Sequence, residues 1–276
     1  MALQYRWSNW PGHMATVQPE IFSAQSGAPM MTLTTRLLSC LLLPLLWTAL
    51  VDAAEPAGQQ RQRRQNPAMA PVTDVAGLPR VLLIGDSISI GYTLATRELL
   101  AGKANVHRIP TNGGPTTRGL DQLDAWLGNQ QWDVIHFNWG LHDLKHVDDR
   151  GTLVDVAKGP IQVPLEAYRK NLQTLTRRLK ETDAELIWCS TTPVPKGAKG
   201  RVPGDEVRYN STALEVMQDE GVAVDDLYAF ALPQMAKIGK PADVHYTPEG
   251  SQVLATQVAG SIEAALKNRR LPAAGR

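Results

Sequence analysis

This sequence has few cysteines, no excess of one charge and few long apolar runs, and each of these features argues against a class of protein. Two cysteines among 276 residues are too few for a small domain held together by disulfides. The 28 cationic side chains nearly cancel the 27 anionic ones, which leaves a net charge of +1. Because a protein that neutralises phosphates needs an excess or a stripe of Lys and Arg, the balance argues against nucleic acid as a partner.

One apolar segment stands out, and it is shorter than a membrane span. The run over residues 37–51 is interrupted by Pro44, whereas a transmembrane helix needs about 20 apolar residues. The cation Arg36 precedes the run, and Val51-Asp52-Ala53 follows it with the small residues that a signal peptidase accepts. This layout predicts a cleaved secretory signal peptide over residues 30–53. We therefore expect a periplasmic or secreted protein without a stable membrane span in its mature form.

The segments around this signal carry no apolar periodicity. We interpret residues 1–29 as a misassigned N-terminal extension, because a signal peptide normally stands at the start of translation. Residues 54–78 are rich in Gln, Pro, Ala and Arg, which is typical of a flexible linker. With a disordered tail over 269–276, one folded domain is left over residues 79–268.

Within this domain, apolar runs typical of buried strands alternate with amphipathic stretches typical of helices. Strands that alternate with helices predict a parallel sheet covered on both faces. Five strands in about 190 residues fit a flavodoxin-like, doubly wound α/β domain. The predicted strands lie within residues 80–86, 105–110, 132–140, 184–195 and 222–227, and the predicted helices within 93–102, 117–128, 164–182, 206–220 and 247–267.

Ser87 follows the first predicted strand in the turn Gly85-Asp86-Ser87. In a doubly wound sheet, ligands bind outside the carboxyl ends of the strands. A serine at this strand-to-helix turn has its hydroxyl above the sheet, beside the N–H groups and the positive dipole end of a helix, which suits a nucleophile. The same residue also fits a helix cap without any chemistry.

Three other segments carry polar residues at corresponding places. After the second strand, the glycines of Asn112-Gly113-Gly114 allow a backbone N–H to approach a ligand, although an ordinary loop has the same composition. After the third strand, the polar side chains of residues 138–143 can complete an oxyanion hole or form a solvated turn. Before the last helix, His245 can act as a general base towards Ser87, with Asp243 fixing its tautomer.

These four segments, in this order, resemble the sequence blocks of the SGNH (GDSL-type) hydrolase family. The matching residues are Gly85-Asp86-Ser87, Asn112-Gly113-Gly114-Pro115-Thr116, Gly140-Leu141-His142-Asp143 and the pair Asp243 and His245. The resemblance covers roughly residues 79–268. It implies a flavodoxin-like fold and ester hydrolysis through a Ser–His–Asp constellation, with no metal or other cofactor. It also implies a small-molecule or glycan ester as the partner, and together with export it favours a short acyl group, such as acetyl, on carbohydrate.

Carried over by position, the resemblance assigns a role to each matching residue. Ser87 becomes the nucleophile, His245 its base and Asp243 the triad acid. The N–H groups of Ser87 and Gly114, with the side chain of His142, become the oxyanion-hole donors. Asp86, Asn112, Asn138 and Trp139 are further candidates for a pocket, although packing in the core is the favoured interpretation for Trp139.

Two positions depart from the family's pattern. His142 stands where the family has an asparagine, and a neutral imidazole still donates one hydrogen bond. Asp243 lies two residues before His245 instead of three, where Ala242 stands. The carboxylate reaches His245 only if the loop bends differently from the family's; otherwise a Ser–His dyad is left.

Two other functions are compatible with these residues. A decayed SGNH scaffold would be a non-catalytic glycan-binding or envelope protein, and the two departures motivate that hypothesis. The spacing of His142 and His146 with Asp143 between them also resembles the H-E-x-x-H motif of metal-dependent hydrolases. That motif requires a helix, whereas this stretch follows a strand and lies beside Gly140.

Overall fold

The computed structural model describes residues 66–269. The predicted N-terminal extension over 1–29, the signal peptide over 30–53 and the linker up to residue 65 lie outside this part, as do residues 270–276 of the predicted tail. Within residues 66–269, no helix is long and apolar enough to cross a membrane.

The centre of the fold is a parallel sheet of five strands in the order β2-β1-β3-β4-β5. This is the flavodoxin-like strand order, and it confirms the predicted doubly wound α/β fold. The order reverses between β1 and β3, which is the place where such sheets bind ligands. The strands are β1 (Arg80–Ile84), β2 (Asn105–Arg108), β3 (Val134–Phe137), β4 (Glu185–Cys189) and β5 (Ala223–Asp225).

Helices cover both faces of the sheet. On one face α1 packs against α7, and on the other α3 lies between α2 and α4. Because both faces are covered, all four residues of β3 are buried, as the continuous apolar run predicted. The helices are α1 (Ser87–Leu99), α2 (Thr116–Leu127), α3 (Leu165–Lys180), α4 (Asp205–Glu220), α5 (Leu227–Ala231), α6 (Met235–Ile238) and α7 (Pro248–Asn268).

The described end of the predicted linker, residues 66–78, packs on the domain. The Asn105 side chain at the start of β2 accepts a hydrogen bond from the Val75 N–H (2.8 Å) and donates to the carbonyls of Val75 (3.0 Å) and Leu78 (3.1 Å). Ala68 is only 2% exposed. The packed domain therefore includes residues 66–78, because the Asn105 side chain forms hydrogen bonds with backbone groups of this segment.

Two long connections meet above the carboxyl ends of the strands. Residues 144–163 follow β3, and residues 194–204 follow β4. The first connection pairs with itself in antiparallel bridges, His146 with Ile161 and Val147 with Leu153. The N–H of His146 also donates to the carbonyl of Gly200 in the second connection (2.7 Å). These hydrogen bonds therefore join the two connections into one layer over the sheet.

Candidate active site

Ser87 is the first residue of α1, and its hydroxyl is not used as the helix cap. The cap is Asp86, whose Oδ1 accepts a hydrogen bond from the Ile88 N–H (2.9 Å). Gly85 permits the tight turn out of β1, since a Cβ there would lie 2.8 Å from the Ser89 Oγ. The Ser87 side chain is thus available for another partner, while Asp86, a predicted pocket residue, is 4% exposed and has a structural role.

That partner is His245, which follows Ser87 by 158 positions. The Ser87 Oγ and the His245 Nε2 lie 2.9 Å apart. On the other side of the ring, the His245 Nδ1 lies 2.6 Å from the Asp243 Oδ1. The three side chains therefore form a continuous hydrogen-bonded relay in the order hydroxyl, imidazole, carboxylate.

Asp243 reaches the ring because the chain turns sharply just before it. Ala242 has a left-handed φ of +53°, which is rare for a residue with a Cβ. The Asp243 Oδ1 also accepts the backbone N–H of His245 (3.1 Å). Burial raises the pKa of Asp243, but the hydrogen bonds from His245 outweigh it and hold the pKa below its ordinary value. The shorter Asp–His spacing is therefore accommodated by the turn.

The relay lies at the surface of the domain. The side chain of His245 is 43% exposed and that of Asp243 is 44% exposed. Thr247 caps the helix that follows them: its Oγ1 accepts the Gly250 N–H (2.9 Å), and Pro248 lies in the first turn. A bulky molecule can therefore reach the relay without entering the core.

Gly114, a predicted oxyanion donor, has its N–H occupied in this structure. It donates to the Asn112 Oδ1 at 2.9 Å, and the left-handed φ of +63° at Gly114 suits glycine. Asn112 would have to rotate away before this N–H could bind a substrate oxygen. The carboxylate of Asp143 holds the end of the same loop by accepting hydrogen bonds from the Thr116 N–H (2.8 Å) and hydroxyl (2.5 Å).

His142 is half-buried beside the relay. Burial lowers its pKa to about 4, against a smaller opposing effect of the Asp86 charge, and the charge of His245 also lowers it. The imidazole is therefore neutral at neutral pH and has one N–H to donate. The helix required by the H-E-x-x-H interpretation does not form, because residues 141–145 are turns and bends. His146 instead contacts the Gly159 carbonyl through its Nδ1 (2.7 Å).

Two of the predicted pocket residues are structural. The Asn138 Nδ2 donates to the carbonyl of Cys189 (2.7 Å) and so joins the ends of β3 and β4. Trp139 is 1% exposed and packs so closely on α2 that a Cβ on Gly119 would lie 2.9 Å from its ring. The ring of Trp139 therefore fills the core, as the interpretation favoured from the sequence had it, and does not line a pocket.

Arg108 is a site residue that the sequence analysis missed. It lies at the end of β2 with 8% exposure, and its Nη2 donates to the carbonyls of Gly85 (2.9 Å) and Asp86 (3.0 Å). Burial lowers its pKa to about 10, so the guanidinium is charged at neutral pH. It holds the backbone turn that carries Ser87. A lone arginine at the end of a predicted buried strand was the available signal.

The flavodoxin-like sheet and the relay together are typical of serine-dependent hydrolases that act on ester bonds. Residues 83–253 match the GDSL-like Lipase/Acylhydrolase family, so the chain belongs to this family and is an ester-bond hydrolase. The predicted resemblance to SGNH (GDSL-type) hydrolases is confirmed. No curated protein matches the sequence.

Several solved structures share the fold at low sequence identity. A lipase/acylhydrolase from Enterococcus faecalis is 18% identical, and the match covers 70% of this chain and 100% of that chain with a TM-score of 0.55. An acetylxylan esterase from Geobacillus stearothermophilus is 16% identical, with 67% and 94% covered and a TM-score of 0.55. A second acetyl xylan esterase is 16% identical, with 66% and 99% covered and the same TM-score.

The buried carboxyl of Asp143 predicts a pH-dependent stability. Burial raises its pKa from 3.8 to about 7, so the folded protein binds a proton there that the unfolded chain releases. The proton bound by Asp143 therefore contributes to the free energy of unfolding; this contribution is complete below about pH 4 and is lost as the pH rises through 7. We expect the free energy of unfolding of the wild type to fall by about 1–3 kcal/mol between pH 5 and 8, relative to Asp143→Asn.

Urea unfolding of both proteins at the two pH values measures this change. Asp219→Asn, at an exposed position on α4, is the control and should follow the wild type. A difference between wild type and Asp143→Asn that stays constant with pH would contradict the raised pKa.

Proposed function

We propose that the protein is a secreted serine esterase that hydrolyses short acyl esters, acetyl above all, on carbohydrate. The observation that carries this proposal is the relay from the Ser87 Oγ through His245 to Asp243, with separations of 2.9 Å and 2.6 Å. A base within hydrogen-bond distance of a hydroxyl, oriented in turn by a carboxylate, is the arrangement that activates serine as a nucleophile.

In the proposed mechanism, the Ser87 Oγ forms a bond to the ester carbonyl carbon while its proton moves to the His245 Nε2. The imidazolium then gives this proton to the leaving alcohol as the ester C–O bond breaks, which leaves an acyl group on Ser87. Water then attacks the acyl carbon while His245 takes its proton; the bond from this carbon to the Ser87 Oγ breaks, His245 returns the proton to the Oγ, and the acid is released. Asp243 keeps the Nδ1 proton in place and stabilises the imidazolium.

The negative charge on the carbonyl oxygen needs donors during both steps. The N–H of Ser87 lies in the first turn of α1, where the helix dipole favours negative charge. The N–H of Gly114 becomes the second donor when Asn112 rotates off it, and the neutral imidazole of His142 supplies the third. Asp143 supports this hole because it holds Thr116, which lies in the same loop as Gly114.

Two observations support carbohydrate as the alcohol half of the ester. The nearly half-exposed ring of His245 leaves room for a bulky leaving group in solvent. Two structural neighbours act on acetylated xylan by their names. The sequence pattern over residues 30–53 supports secretion, which is where such a substrate is met.

The sequence also left open a non-catalytic glycan-binding protein on the same scaffold, and membership of a hydrolase family opposes that alternative. The observation that favours it is the occupied N–H of Gly114, which leaves the oxyanion hole incomplete in this structure. Turnover separates the two functions, because only the esterase requires the Ser87 hydroxyl.

Turnover of p-nitrophenyl acetate tests the proposed nucleophile. We expect Ser87→Ala to lower kcat by about 10³-fold or more, since loss of a triad nucleophile leaves only binding and the oxyanion hole. Ser261→Ala, which removes a hydroxyl from α7, should retain wild-type activity. Equal turnover by Ser87→Ala and wild type would end the proposed mechanism, and no turnover by either protein would favour the glycan-binding alternative.

Substitutions at His142 test the third oxyanion donor. Because its pKa lies near 4, the wild-type imidazole donates in its neutral form throughout pH 5–9. We expect His142→Asn to stay within about tenfold of the wild-type kcat with the same pH profile, and His142→Ala to lose about 10²-fold. Full activity in His142→Ala, with unchanged thermal stability, would remove His142 from the mechanism.

A further inference from the structure

Two cationic side chains are brought together by the hydrogen bond that joins the long connections. The N–H of His146 donates to the carbonyl of Gly200 (2.7 Å). Lys145 directly precedes His146 on one connection, and Arg201 directly follows Gly200 on the other. They are 56 positions apart in sequence, and both are partly buried. The fold has therefore placed two positive charges in one layer above the sheet.

Arg201 is held in place by its own hydrogen bonds. Its Nε donates to the carbonyl of Leu141 (3.0 Å), and its Nη1 donates to the carbonyl of Lys199 (3.4 Å). Leu141 directly precedes His142. The guanidinium is thus held close to His142, a proposed oxyanion donor.

These two cations lack an ion-pair partner within the part of the chain that the structure describes. Among the ion pairs of residues 66–269, none includes Lys145 or Arg201. Burial lowers the pKa of both side chains. The charge of Arg201 also lowers the pKa of Lys145, and both charges lower the pKa of His142. Two like charges that are partly desolvated and unpaired destabilise the free protein, and an anion between them would relieve that cost.

Carboxylates close to Arg201 are already engaged elsewhere. The charges of Asp86 and Asp243 act on Arg201 and oppose the effect of its burial. However, Asp86 caps α1 and Asp243 binds His245, so neither carboxylate is released to form a close pair with the guanidinium. The influence of Asp243 on Arg201 also places the guanidinium near the relay.

We propose that Arg201 and Lys145 bind an anionic group on the alcohol half of the ester. This inference rests on the proposed esterase function and narrows its substrate class to acylated alcohols that carry a carboxylate, such as an acidic sugar. Arg201 is suited to the role because its guanidinium forms charge-assisted hydrogen bonds with carboxylates. Lys145 adds a second charge to the same group.

The test compares two acetate esters that differ in one charge, 3-acetoxybenzoate and 3-acetoxybenzamide. We expect the wild type to prefer the benzoate in kcat/KM, and Lys145→Gln and Arg201→Gln each to lower kcat/KM for it by about tenfold or more. Both variants should stay within about twofold of wild type on the neutral benzamide. Lys196→Gln, an exposed cation on the same connection as Arg201, should change neither value.

The outcomes separate this inference from the function on which it rests. Hydrolysis of both esters at a ratio that neither variant changes would overturn the anion site and leave the esterase intact. Absence of hydrolysis of either ester by the wild type would overturn both. Arg201→Gln removes the contact with Leu141 and could unfold the protein. In that case Arg201→Lys and Lys145→Gln decide the test. Arg201→Lys is expected to retain part of the preference for the benzoate.

Discussion

The hydrogen bond between Ser87 and His245 is the interaction on which the functional interpretation of this protein depends. It connects the first residue of α1 to the turn before α7, and these two helices pack against each other on one face of the sheet. Each end is set independently. Asp86 caps α1 and Arg108 holds the carbonyls of the preceding turn, while Ala242 and the Thr247 cap shape the turn that carries His245. The relay therefore follows from local backbone geometry at two distant points of the chain.

Burial organises the charges around this relay. The carboxyl of Asp143 lies fully buried and fixes the loop of Gly114 by binding Thr116, at the cost of a raised pKa. Burial keeps the His142 imidazole neutral, which is the form that donates one hydrogen bond without adding a charge. Lys145 and Arg201, by contrast, form no ion pair with any residue from 66 to 269. The site thus combines an uncharged donor with a cationic rim, and the latter suits a substrate that brings its own negative charge.

Much of the fold could be predicted because buried parallel strands leave a strong local pattern. The apolar runs indicated the five strands; the turn after the first strand then identified Ser87, and the segment before the last helix identified His245, as candidates. Contacts between residues that are far apart in sequence leave no local pattern. The sequence could not predict that residues 66–78 bond to Asn105, or that the Trp139 ring fills a gap against Gly119. The reach of Asp243 depends on one left-handed residue, Ala242, which no periodicity indicates.

The central claim is that His245 activates Ser87, and the rate at which a fluorophosphonate reacts with the protein measures that activation directly. We predict one adduct per chain, located by peptide mass spectrometry on Ser87, with a rate that falls by about 10²-fold or more in His245→Gln. An adduct on another residue, or an equal rate in wild type and His245→Gln, would contradict the account.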